Sequence, residues 1–165
     1  MAATEPTLSA FITRDHHAII DEFTSFARTL VPPDSPMTEQ ELRDHSKELL
    51  QAIALDLETQ QTNHEQAQKS KGLGAAHMMR ASGRLHADAR LHHGFGLMEV
   101  LSEFRALRAS VLRLYAEIGA SDLTEVRRFN EAIDEALTES MHQFASEPSC
   151  FGRSSMRRPR RSHRW

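Results

Sequence analysis

Apolar residues recur three and four positions apart through most of this chain and almost never alternate, which is the pattern of helices rather than strands. Ile12, Ile19 and Phe26 fall seven apart, with His16, Phe23 and Leu30 beside them, so the spacing predicts a first helix from about Ser9 to Leu30, ended by VPPDSP at 31–36. A second helix opens with Thr38 and Glu41 in a capping box, framed by Met37 and Leu42 as a hydrophobic staple. Leu42, Leu49, Leu50, Ile53 and Leu57 form its buried side. Thr59 to Gly72 has almost nothing to bury, and reads either as a solvated extension of that helix or as an exposed connection. The pattern then predicts a third helix from about Ala75 to His92, with Gly94 suited to a left-handed C-terminal cap and Gly96 preceding the next. Val100, Phe104, Leu107, Val111, Leu114 and Ile118 mark a fourth helix over Leu97–Ile118, and Gly119 ends it. Ser121 or Asp122 caps a fifth, whose stripe of Val126, Ile133, Leu137, Met141 and Phe144 runs to about Ala145.

Short connections between the last three helices favour antiparallel neighbours. The expected architecture is therefore all-α, an antiparallel four- or five-helix bundle over residues 8–146, followed by a disordered Arg/Ser/Pro-rich tail over 147–165. A length of 165 residues with 39% hydrophobic positions suits one domain of this kind. The single cysteine, Cys150, excludes a disulfide framework or a cysteine-rich zinc module and fits a reducing compartment. No stretch has the run of apolar residues a membrane span needs, and the N-terminus lacks the parts of a signal peptide, so a cytoplasmic location is expected.

Charge divides the chain. Residues 1–147 hold 14 of the 20 basic residues and all 23 acids, a formal charge of −9, whereas the tail carries Arg153, Arg157, Arg158, Arg160, Arg161 and Arg164. Nucleic-acid binding is thus not expected of the bundle, and any such role belongs to the tail.

Ten histidines invite a metal or phosphotransfer reading. Neither has its signature: His16-His17 and His92-His93 are adjacent pairs whose side chains diverge on a helix, and Gln68 stands where a phosphotransfer H-x-x-K-G before Lys71-Gly72 would need histidine. A site assembled across helices, such as His16 with His86, is a weaker reading than a histidine at the core edge; no metal and no cofactor are expected. KGLG and HHGFG match no phosphate-binding loop, and no catalytic constellation stands out.

Polar residues within the third and fourth helices are more specific. His86 and Arg90, four apart, share a face, while Glu103, Arg105 and Arg108 interrupt an otherwise apolar helix. His86, Arg90, Glu103 and Arg108 are the candidate polar cluster between those helices, sensory or structural in role. Arg108 beside the stripe must either snorkel to the surface or pair with a buried carboxylate. Two further positions are His16, in the first stripe, and Asn130, a stripe-side amide able to fix helix register.

The string GRLHADARLHHGFGLMEVLSEFRALRASVLRLYAEI resembles the N-terminal sensory domain of RsbT co-antagonist proteins of the RsbRD type, found at the N-terminus of bacterial sensor histidine kinases. The matching positions are His86, Arg90, Gly94-Phe95, Glu103, Phe104, Arg105, Leu107, Arg108, Ser110 to Leu114 and Tyr115. Leu42 to Leu57 looks like the family's second helix and Arg128 to Ser140 like its last, so the resemblance spans about residues 10–145; Phe23 stands where the family tends to have Trp. The resemblance implies an all-helical, non-catalytic sensory or regulatory domain that acts on a signalling protein or kinase, here supplied in trans, with homodimerisation as a further expectation. No kinase core follows, and the abrupt Arg/Ser/Pro-rich tail resembles out-of-frame translation, the expectation being a stand-alone or truncated sensor kinase. Nucleic-acid or acidic-partner binding through the tail is the alternative.

Overall fold

The structure, a computed structural model, describes residues 6–59, 61–71, 73 and 77–146. Among them the chain is all-helical: α1 (Leu8–Ala27), continued by one 3₁₀ turn, then α2 (Glu39–Glu58), α3 (Asn63–Lys69), α4 (His77–His92), α5 (Leu97–Glu117) and α6 (Leu123–Ser146). The tail expected to be disordered, and the start of the third helix at Ala75, lie outside the described residues.

Local chemistry sets the ends. Thr38 accepts from the Glu41 amide while the Glu41 carboxylate accepts from the Thr38 amide, the full capping box. Asp122, not Ser121, caps α6 through the amides of Thr124 and Glu125. Gly94, at φ 77°, ends α4 as the sequence predicts: its amide donates to Leu91 and that of Phe95 to Arg90, a Schellman motif. The α1 stripe is interrupted at Asp15, where φ −104° and ψ 15° kink the helix; Leu8, Phe11 and Ile12 are buried before the kink, and Ile19, Ile20, Phe23 and Ala27 after it.

The connection after α2 is exposed at most of its described residues, which is one of the two forms expected, but it is not irregular throughout. Its middle is the separate helix α3, held by a second capping box of Thr62 and Glu65. Its last residue, Lys69, is buried in an ion pair with Asp56 of α2. Helix α3 also reaches α6, where Arg127 donates to Gln66 at 2.7 Å.

Long-range pairs fix the directions. Ser9 with Ala54 and Arg43 with Asp21 make α1 and α2 antiparallel, and Phe11 on Tyr115 with Glu22 on Arg113 does the same for α1 and α5. The most extensive packing, α4 on α6, is parallel: Arg80 meets Glu135, Arg84 meets Glu139 and Asp88 meets Gln143. The antiparallel arrangement of α1 with α2 and with α5 therefore does not extend to α4 and α6, because α5 reverses the chain between them. Gly83 makes the close approach feasible. A Cβ built there would stand 2.3 Å from the Ala136 carbonyl oxygen. Ser140 completes the seam by donating to the Gly83 carbonyl at 2.8 Å. Helices α4 and α5 are not closely packed along their lengths despite the tight turn between them, and they meet through side chains.

Candidate functional site

At the centre of that looser junction three charged or titratable side chains are buried together. Arg90 is 0% exposed, Glu103 1% and His86 5%. The i, i+4 spacing places His86 and Arg90 one above the other on α4, aimed at α5, where Glu103 occupies a buried position one before Phe104. Arg90 Nε donates to both Glu103 oxygens, at 2.9 and 2.8 Å, and His86 Nε2 lies 3.1 Å from Oε2. The cap of α4 contributes a wall: Phe95, the residue after Gly94, presents its ring 5.2 Å from the Arg90 guanidinium carbon. Phe104 packs edge-on to His86 at 5.2 Å.

Helix α2 and the residue before its cap supply two groups that the sequence pattern does not assign to the site. Arg90 Nη1 lies 3.2 Å from His45 Nδ1 and 3.7 Å from Met37 Sδ. Met37 is the staple residue before α2, so the cap that starts α2 also positions a partner for Arg90. His45 was legible in principle, since it lies three residues after Leu42 and four before Leu49.

Electrostatics assigns the protons. Burial alone pushes Glu103 up, but the hydrogen bonds and charges of His86 and Arg90 outweigh it and hold the carboxyl below its ordinary value. His86 is lowered, chiefly by burial and against the pull of Glu103. His45 is lowered by burial and by the Arg90 charge. The resulting state is an ionised Glu103, a charged Arg90 and two neutral imidazoles. His86 then carries its proton on Nε2, toward the carboxylate, and its Nδ1 is a lone pair. That Nδ1 and Arg90 Nη2 are buried without a hydrogen-bond partner.

A pH dependence follows. A histidine with a lower pKa folded than unfolded binds more protons in the unfolded chain, so its stabilisation is present above about pH 6.5 and is lost as pH falls through that value. Glu103 adds a second loss below about pH 4.3. Urea midpoints are expected to be level from about pH 8 to 7 and to fall progressively below about 6.5, with a shallower fall in His45→Gln. A midpoint unchanged down to pH 5 would contradict this protonation state.

The other expected site residues lie elsewhere. Arg108 is not in the cluster: it pairs with Asp134 of α6 on the surface, with side chains 33% and 63% exposed. The reason is angular, since five residues beyond Glu103 is roughly 140° around an α-helix. Arg108→Ala is expected to cost no more than about 1 kcal/mol by urea denaturation, and a loss of about 3 kcal/mol would return it to the interior. His16 is half-buried and not a core residue; its Nδ1 meets the Thr13 carbonyl at 2.9 Å and its ring stacks on His17. The kink at Asp15 takes that position off the buried stripe. Asn130 is half-buried and donates to Val126 of its own helix at 3.0 Å, so this bond fixes no register between helices.

Among the described residues no group of three His, Cys, Asp or Glu side chains is placed to hold a metal ion, and no helix is long and apolar enough to cross a membrane. No family model, characterised protein or solved structure matches the chain.

Proposed function

We propose that this chain is a non-catalytic sensory or regulatory module of bacterial signal transduction, of the RsbRD N-terminal type, working in the cytoplasm on a kinase or other signalling protein in trans. The supporting observation is the burial of His86, Arg90 and Glu103 in one bonded unit, because these are residues on which the sequence resemblance rests. A buried polar unit between loosely packed helices suits a two-state element, since small displacements change which hydrogen bonds are satisfied.

The test is a fusion of residues 1–146 ahead of a histidine kinase core that autophosphorylates on its own. The bundle is expected to change the autophosphorylation rate several-fold, and Glu103→Gln to remove that change. A rate indifferent to both would overturn the reading.

A second reading, binding of nucleic acid through the tail, is favoured by the six arginines after residue 147. It requires affinity that falls steeply with salt and vanishes on deletion of residues 148–165.

A further inference from the structure

A half-enclosed cleft of about 380 Å³ lies between α2 and α4 and has His86 and His45 in its wall. That volume is within the range of small-molecule sites. Leu49 and Ala52 line it from α2, and Met78 and Leu85 from α4, the last two largely open to solvent. The cleft is thus largely apolar, with the two imidazoles, Ser82 and Glu48 as its polar lining residues.

Those imidazoles offer different atoms. His86 Nε2 is committed to Glu103, which leaves Nδ1 as a buried acceptor with no partner. His45 Nδ1 is committed to Arg90, whose guanidinium can only donate, which leaves the His45 proton on Nε2. One acceptor and one donor on a shared wall complement a group that both donates and accepts, namely a hydroxyl. We propose that the α2–α4 cleft is a binding site for a small, largely apolar, uncharged molecule bearing a hydroxyl group, which donates to His86 Nδ1 and accepts from His45 Nε2.

Charge argues against an acid as the ligand. Glu48 stands in the cleft wall, and among the described residues no Arg or Lys lines the cleft. A carboxylate would enter beside one negative group with no cation in the wall to meet it. The depressed proton affinity of both histidines, set by burial and by Arg90, keeps them neutral and suited to a neutral partner. The proposal stands on the cleft and not on the signalling role, so either can fail alone.

The experiment uses the full chain labelled with ¹⁵N and three probes of like size: p-cresol, which has the hydroxyl, toluene, which lacks it, and p-toluate, which is an anion. p-Cresol is expected to give a saturable shift of the His86 and His45 ring nitrogens, with toluene and p-toluate each about tenfold weaker or more, which corresponds to one hydrogen bond gained or one charge rejected. Ala81, exposed on α4 in the same cleft, provides a variant that leaves Glu103 and its partners untouched. Ala81→Phe fills the space and is expected to abolish p-cresol binding while the ring signals of His86 keep their unliganded positions. Equal affinity for p-cresol and toluene, no saturable shift, or p-cresol binding unchanged in Ala81→Phe would each overturn the proposal.

Discussion

Glu103→Gln is expected to lower the stability of the bundle by about 3–5 kcal/mol, because it leaves a buried guanidinium without its counter-charge. The substitution preserves shape and one acceptor, so the loss reads charge and not volume. Arg90 has no exposed surface on which to recover hydration, and its remaining neighbours, His45 and Met37, are neutral. Urea denaturation measures it: with a slope of about 2 kcal/mol per molar, the midpoint falls by roughly 2 M. The double variant Arg90→Met, Glu103→Leu removes both charges together and is expected to be more stable than Glu103→Gln, since apolar replacement of a whole buried pair is often neutral. A single variant within about 0.5 kcal/mol of the parent would mean that water reaches the pair.

Gly83→Ala is the second large effect, and its sign is opposite to the usual one. Inside a helix the change from glycine to alanine ordinarily gains about 1 kcal/mol. Here the new methyl would stand 2.3 Å from the Ala136 carbonyl oxygen and 3.0 Å from its carbonyl carbon and Cα. These are main-chain atoms of a neighbouring helix and cannot rotate away. Pushing α6 outward also stretches the Ser140 hydrogen bond to Gly83 and loosens Ala132, Ile133 and Ala136, all fully buried. Overpacking of this kind outweighs the propensity gain, for a net loss of about 2–3 kcal/mol. For a chain of this size that is a drop in Tm of roughly 5–10 °C. Trimming the neighbour with Ala136→Gly is expected to give no rescue, because the obstructing oxygen remains.

Five of the six helices were legible because each has an apolar stripe to bury, and burial sets periodicity. Helix α3 was not, since NHEQAQK has no stripe. Its signal was the capping box at Thr62 and Glu65, the same device that identified α2, together with one lysine whose burial depends on Asp56 in a different helix. The site divides in the same way. His86 and Arg90 share a face by spacing alone, and Glu103 sits inside an apolar run, so those three could be read from local pattern. Arg108 misled because adjacency to a stripe does not distinguish a side chain turned inward from one turned toward a neighbouring surface. His45 and the parallel approach of α6 depend on tertiary placement, which no local spacing encodes. Gly83 showed nothing unusual in sequence, because its importance lies in the backbone it lies against.

That contact also governs what the bundle can do mechanically. Sliding α4 along α6 by one helical turn would bring Met79 or Ala87, the buried residues on the same face as Gly83, to the Ala136 main chain, where only a residue without a Cβ fits. The two helices therefore translate together as one plate. Helix α2 packs on both members of that plate but leaves a cleft beside α4, and α5 packs on α6 while meeting α4 mainly through side chains, so the α4–α5 junction and the cleft are the looser parts of the bundle. One residue of the plate borders both, since the His86 ring lines the cleft toward α2 and bonds to Glu103 of α5.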